Sequence, residues 1–336
     1  MFAGSPAIAV PALEALVALG SANGNAVGGA DDNADGGADG STDSNAGFEL
    51  AGVLTNPDSA RGRHGKLEPT GIGAAAERLA QGIPVLKPAK LDAEVREQTA
   101  ALKADLLVSF AYGRIFGPKF LALFPQGGIN IHPSLLPQYR GPTPIPAAIL
   151  NCDHETGISI QRLAPEMDSG DILIQERFAL NGRETTASLG EIMAQKAAQL
   201  LPETLKGLAA GSLRGTPQNH GEASYCSLIA KEEGLIDWSK SAREIDARIR
   251  AFDPWPLCWT KHGGQQLFIL KAEPLDATAQ SETAGLVLGI DKQRGILVQT
   301  GEGVLAVTEL QYQTKKALEW RAFLNGARNF AGSRLG

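Results

Sequence analysis

The chain has 336 residues and a formal net charge of −6, with 43% hydrophobic and 20% charged residues. Its length exceeds one typical domain of roughly 100–200 residues and points to two, while its composition is that of an ordinary globular protein. No apolar run approaches the roughly 20 residues of a membrane span, and the opening MFAGSPAIAVPALEALVALG has no basic n-region, so we expect a cytoplasmic protein with no membrane partner.

In chain order, a stub of strand precedes the Gly4-Ser5-Pro6 turn and a helix from Ile8 to Leu19. Residues 21–47 are Gly, Ala, Asn, Asp and Ser, too poor in apolar side chains to offset their ordering entropy, and read as an acidic loop inserted between helix and strand. Five negative charges sit there (Asp31, Asp32, Asp35, Asp39, Asp43). The rest of the chain is therefore near neutral, and net charge neither favours nor excludes an RNA partner. A strand over 48–55 leads into a loop, SARGRHGKLEP, whose Arg61, Arg63, His64 and Lys66 suit either solvent or a phosphate backbone. Helix 71–81, strand 84–86, helix 92–102 and the nearly all-apolar strand 105–110 follow, then the turn Ala111–Ile115 and a strand ending at His132. Strands alternating with helices predict an α/β fold, a doubly wound, mainly parallel Rossmann-like sheet with its ligand crevice at the strands' carboxyl ends.

Helix 143–150, a β pair over 158–163 and 172–178, and an amphipathic helix over 188–209 complete a first domain, 1–209. A polar Gly/Pro linker, 210–222, separates it from a second, 223–336. There a helix over 242–251 and five short β segments (258–262, 266–273, 285–291, 295–300, 303–310) suggest a small OB-like β-barrel. A final helix is expected over 318–325.

The chemistry concentrates between Gly127 and Asp171. Asn130 and His132 project to one side of a strand, and Asp168 lies in a turn that can return to the same edge. An amide, an imidazole and a carboxylate suit acyl transfer, where donors stabilise an oxyanion and a proton leaves an attacking amine. Asn-x-His alone is weak, and Met167-Asp168-Ser169-Gly170 is also plain turn chemistry. A serine hydrolase is disfavoured because no Gly-x-Ser-x-Gly elbow surrounds Ser134, and a Rossmann dehydrogenase because no Gly-x-Gly-x-x-Gly follows a strand. Three cysteines and five histidines, scattered along the chain, form no disulfide framework and no metal-ligand pair, so no metal is expected.

AGSPAIAVPALEAL, TNPDSARGRHGKL, AYGRI, INIHPSLLPQYRGPTPI and MDSGDIL, with KEEGLIDWSKSAREIDARIRAFDPWP, GVLAVTELQ and the KKAL…FLNG ending, cover nearly the whole chain outside 21–47. With these motifs it resembles the folate-dependent formyltransferases, specifically their two-domain, tRNA-directed members. The resemblance implies formyl transfer from 10-formyltetrahydrofolate to the α-amine of methionyl-initiator tRNA by a monomer, with Asn130, His132 and Asp168 catalytic. It implies folate contacts from Ser134, Leu135, Leu136 and Pro137 and from Ala111, Tyr112, Gly113 and Ile115. It also implies tRNA contacts from Arg61, Arg63 and Lys66 and from the C-terminal barrel. The family has a full first strand where this chain has a stub, so either the start was assigned too late or the sheet lacks most of a central strand. The rivals are a formyltransferase for another amine, a formyltetrahydrofolate hydrolase, and a catalytically silent RNA-binding protein.

Overall fold

The structure, a computed structural model, describes residues 1–24, 47–61, 65–275, 281, 283–327 and 329–336. Most of the acidic insert, with Arg63 and His64 of the basic loop, lies outside the described residues. The chain divides into two compact units. One comprises Met1–Gly141, Gly157–Arg177 and Gly190–Tyr225, the other Pro142–Thr156, Phe178–Leu189 and Cys226–Gly336.

The first unit opens with β1 (Phe2–Gly4), α1 (Val10–Gly24), β2 (Val53–Leu54), the pair β3 (Ser59–Arg61) and β4 (Lys66–Glu68), and α2 (Gly71–Leu79). It continues with β5 (Val85–Leu86), α3 (Ala93–Ala101), β6 (Leu107–Phe110), α4 (Pro118–Leu121) and β7 (Gly128–His132). Helix α5 (Pro144–Leu150) falls in the second unit; β8 (Glu155–Arg162), β9 (Ile172–Ala179) and most of α6 (Thr186–Ala209) return to the first.

One seven-stranded sheet has the order β5-β2-β1-β6-β7-β8-β9. The chain winds outward through β2 and β5, returns beside β1 as β6, and continues to β7, with β5 to β7 parallel throughout. Strand order therefore reverses between β1 and β6, and a doubly wound sheet opens its crevice at the carboxyl ends there. The stub is three residues long and central, its Phe2 and Ala3 fully buried and paired on both sides. Its register, Phe2↔Val53 and Ala3↔Leu54, leaves only two residues of β2 to pair, so the strand expected over 48–55 is reduced to Val53–Leu54. Gly4 ends β1 where a Cβ would stand 2.9 Å from the Phe110 carbonyl, so two neighbouring strands approach at the crevice floor.

The basic loop is not irregular at its base. Ser59↔Glu68, Ala60↔Leu67 and Arg61↔Lys66 pair antiparallel, and Gly65, just before β4, takes a left-handed φ of 60°. Helix α2 starts where the Thr70 hydroxyl accepts from Gly73 N at 2.9 Å, and α3 where Asp92 accepts from Val95 N at 3.2 Å, both ordinary N-caps.

β7 and β8 run antiparallel, placing Asn130 opposite Gln161 and His132 opposite Ser159. Below them, a Cβ on Gly157 would lie 2.2 Å from the Glu176 carbonyl and 2.4 Å from a Leu135 methyl carbon.

In the second unit, α7 (Ala242–Ala251) carries a reciprocal cap, Ser241 Oγ accepting from Glu244 N and Glu244 accepting from Ser241 N. Strands β10 (Cys258–His262), β11 (Gln265–Leu275), β12 (Val287–Asp291), β13 (Gly295–Gln299) and β14 (Val304–Tyr312) pair antiparallel in the order β10-β11-β14-β13-β12. A short β15 (Leu318–Glu319) adds to β14 before α8 (Trp320–Gly326). The buried Trp238 indole donates to Thr260 Oγ1 at 3.0 Å, tying the segment before α7 to β10. Among the described residues no helix is long and apolar enough to cross a membrane, and no His/Cys/Asp/Glu group could hold a metal ion.

Because Gly157 has no room for a side chain, Gly157→Ala should cost about 1–3 kcal/mol by overpacking, several degrees of melting temperature. An unchanged calorimetric transition would show that β9 and Leu135 yield without strain.

Candidate active site

β7 ends at the sheet's carboxyl edge, and its alternation sends Asn130 and His132 to one face. Antiparallel β8 lays Gln161 beside Asn130, and the 164–171 turn brings Asp168 back over the pair. Both amides reach one carboxylate oxygen, Asn130 Nδ2 donating to Asp168 Oδ1 at 3.3 Å and Gln161 Nε2 at 2.9 Å. The other oxygen, Oδ2, accepts from the Gly141 backbone N–H at 2.8 Å. His132 Nδ1 stands 3.6 Å from Asp168 Oδ1. The structure thus brings Asn130, His132 and Asp168 together, although the last two lie 36 positions apart.

His132 is buried, and its Nε2 lies 2.8 Å from the Tyr139 carbonyl oxygen. A carbonyl only accepts, so Nε2 carries the proton and the neutral ring has its bare nitrogen, Nδ1, toward Asp168. The ring's orientation is therefore set from the Tyr139 side. Tyr139 and Asp168 both adopt left-handed backbone, φ 56° and 51°; Asp tolerates this region better than most residues. The Asp168 turn is also tight. A Cβ on Gly170 would fall 1.9 Å from the Arg162 carbonyl, so only glycine lets the chain pass this close.

A second tier fixes these groups. Gln218 Nε2 donates to the Asp168 carbonyl at 2.8 Å, the Gly170 carbonyl at 2.7 Å and Gln161 Oε1 at 3.2 Å. Its Oε1 accepts from Arg140 Nε at 3.1 Å and Nη2 at 2.7 Å. Arg140 is 2% exposed, and its guanidinium also reaches His220 Nδ1 at 3.0 Å and Tyr225 Oη at 3.2 Å. Arginine only donates, so His220 Nδ1 is the acceptor there.

The residues expected to hold a folate divide by exposure. Ser134, Leu135, Leu136 and Tyr112 are buried, whereas Ala111, Gly113 and Ile115 are exposed and Pro137 is half-buried. Ser134 Oγ donates to the Gln138 carbonyl at 2.6 Å, closing the 134–138 loop on itself. Ser159, opposite His132, donates to the Ser134 carbonyl at 2.7 Å and accepts from Leu136 N at 3.2 Å, pinning that loop to β8. The Tyr112 ring stacks on Phe116 at 5.2 Å, and burial pushes its phenol upward against the opposing pull of Arg114. Gly113, at φ 80°, has open space where a Cβ would be, so the 111–115 turn presents backbone to solvent at the crevice.

Lys66 is exposed on the β3–β4 hairpin, and Arg61 ends β3. Arg63 lies outside the described residues. Gln161, Tyr139, Arg140, Gly141 and Gln218 were not read from the sequence. Gln161 had a signal, an amide on the polar face of the alternating segment Ile158–Leu163. Gln218, in a Gly/Pro-rich stretch, had none.

Three comparisons bear on this site. A family model described as formyl transferase matches residues 25–205, and a second, formyl transferase C-terminal domain, matches 228–328. The methionyl-tRNA formyltransferase of Treponema denticola is 44% identical, over 98% of this chain and 97% of the relative. That of Borreliella burgdorferi is 40% identical, over 85% of this chain and 91% of the relative. Among solved structures, an N-formyltransferase from Helicobacter canadensis in complex with folinic acid and dTDP-3-aminofucose matches with a TM-score of 0.61. It is 19% identical and covers 91% of this chain and 97% of its own, a likeness of fold.

The amide chain is directional. Gln161 cannot turn its oxygen toward residue 168 without facing its N–H2 at the Gln218 N–H2. Asp168→Asn therefore loses at least one bond from a half-buried group and should lower unfolding free energy by about 1–2 kcal/mol in denaturant titration. A variant as stable as the parent would mean that the amides re-pair.

Proposed function

Since the chain belongs to the methionyl-tRNA formyltransferase family, we propose that it transfers the formyl group of 10-formyltetrahydrofolate to the α-amine of methionyl-initiator tRNA. The observation that carries this reading is the meeting of Asn130, His132 and Asp168 at the end of β7, beside the strand-order reversal where such sheets bind ligands.

In the proposed reaction the amine attacks the formyl carbon, and its proton must leave as the carbonyl oxygen gains charge. Asn130 uses one N–H on Asp168 and keeps the other for that oxygen. His132, with Nε2–H committed to Tyr139, has Nδ1 as its basic nitrogen. Asp168, 3.6 Å away, stabilises the imidazolium formed when Nδ1 takes a proton. The same proton then serves the departing tetrahydrofolate nitrogen, which leaves as the carbon–nitrogen bond to the formyl group breaks.

The folate reading draws support from the exposed residues Ala111, Gly113 and Ile115 and from the 134–137 loop held by Ser159. These would hold the pteridine by main-chain donors and acceptors, with Pro137 and Ile115 as apolar surface. Arg61, Arg63 and Lys66 of the basic loop would contact the tRNA phosphates, and residues 223–336 would form the tRNA-binding domain.

The test is formylation of methionyl-tRNA with 10-formyltetrahydrofolate as donor. His132→Ala should lower kcat by about 10²- to 10⁴-fold, the usual weight of a general base, with little change in KM for tRNA. Replacing Arg61, Arg63 and Lys66 together should instead weaken tRNA binding and reduce the slope of log affinity against log salt by about 2, at ~0.7 per phosphate contact on single strands. Turnover of a small amine but not of charged tRNA would overturn the substrate, and hydrolysis of the donor without an amine would mark a hydrolase.

A further inference from the structure

Residues 206–227 lie between the two regions that the family models match. Their composition reads as a linker, yet 216–225 are fastened along the candidate site. Thr216 and Ile172 exchange two backbone hydrogen bonds of 2.9 Å. At the other end, the Ser224 carbonyl accepts from Arg140 N at 2.9 Å, and its hydroxyl accepts from Tyr139 N at 2.9 Å. Between these anchors Thr216, Pro217, Asn219, His220, Gly221 and Glu222 are exposed, and Gln218 alone is buried, at 6%. A polar side chain buried from an otherwise exposed strand of chain must be satisfied where it goes, and this one is.

We propose that Gln218 is a positioning residue for the formyl-transfer reaction assigned above, holding the Asp168 turn in place while Arg140 holds Gln218. The amide's orientation is not free. Its oxygen meets two N–H groups of Arg140, which can only donate, and its nitrogen meets the carbonyls of Asp168 and Gly170, which can only accept. Those carbonyls belong to the turn in which Asp168 takes left-handed backbone and Gly170 crosses the Arg162 carbonyl without room for a Cβ. Without a donor there, the turn has a cheaper relaxed conformation, and the Asp168 carboxylate moves with it. The same segment reaches His132 by a second path, since Ser224 binds the Tyr139 N–H and the Tyr139 carbonyl takes the His132 ring proton. One strap thus sets both the carboxylate and the imidazole without touching substrate.

Gln218→Glu separates this role from mere filling of space. A carboxylate of the same size still accepts from Arg140 but presents an oxygen, not an N–H2, to the two carbonyls. Gln218→Met removes both ends and keeps the volume, and Glu203→Gln, exposed on α6 and outside the strap, is the control. With methionyl-tRNA and 10-formyltetrahydrofolate, both Gln218 variants should lose about 10- to 100-fold in kcat, the scale of a misplaced catalytic group, with both KM values within about 3-fold of the parent. Glu203→Gln should behave as the parent.

A second readout needs no substrate. In histidine-labelled protein, the His132 ring signal, assigned by its disappearance in His132→Gln, should shift in its NMR titration in Gln218→Glu and stay fixed in Glu203→Gln. Parental kcat in Gln218→Glu, or an unmoved His132 titration, overturns the proposal. If the parent fails to formylate charged tRNA, the functional reading falls, and the His132 titration alone decides whether Gln218 positions the site.

Discussion

A half-buried carboxylate with three hydrogen-bond donors is the constraint from which the arrangement of the candidate site follows. Asp168 receives Asn130 and Gln161 on one oxygen and the Gly141 N–H on the other. Removing a carboxylate from water costs several kcal/mol unless its lone pairs are met, so the turn is stable only where all three donors converge. Two of those donors stand opposite one another on adjacent strands, Asn130 on β7 and Gln161 on β8. A slip of one residue between those strands would turn one of them to the other face of the sheet and leave the carboxylate short. The register of two strands and the position of one acid are thus the same fact.

β8 serves the site twice from one face. Gln161 holds the Asp168 turn, and two residues earlier Ser159 holds the 134–136 loop through the Ser134 carbonyl and the Leu136 N–H. Both are essentially fully buried, while Ile158 and Ile160 fill the core on the opposite face. A strand with one apolar and one hydrogen-bonded buried face is costly unless every polar atom is paired, and here each pairing fixes a loop that the proposed chemistry uses. Rigid sheet geometry is passed on to loops by this means, with no contribution from the loops' own sequence.

That explains which parts of the site were legible in the sequence. Asn130 and His132 could be read because a strand's two-residue period puts them on one face, and Asp168 because its turn connects two strands of a β pair and can return to the same edge. Most elements were legible for similarly local reasons: an N-cap at Ser241, an apolar run at 107–110, alternation from 258 to 262. The misreadings came where a partner decided the outcome. β2 is short because β1 offers it only two residues, and the basic loop is a hairpin because its arms pair with each other. Arg140 and Gln218 were invisible because their contact spans 78 positions and neither periodicity nor turn chemistry marks it. A Gly/Pro-rich segment announces the absence of helix and strand, not the absence of a docked position.

The backbone shows why such long-range fastening is needed. Ala111, Tyr139 and Asp168 all take left-handed φ values between 51° and 56°, a region costing non-glycine residues of order 1–2 kcal/mol each. Each borders the crevice, at the end of β6, after β7 and after β8. Strained residues relax unless neighbours over-determine them, and at Tyr139 and Asp168 the neighbours are identifiable. Ser224 takes the Tyr139 N–H and His132 its carbonyl, while Gln218 takes the Asp168 carbonyl and Gly141 its side chain. The groups proposed to move a proton are therefore oriented before any substrate arrives, and reorganisation at the moment of reaction is correspondingly small. Preorganisation of that kind requires the strap to be part of the catalytic unit, which is where residues up to Tyr225 cluster.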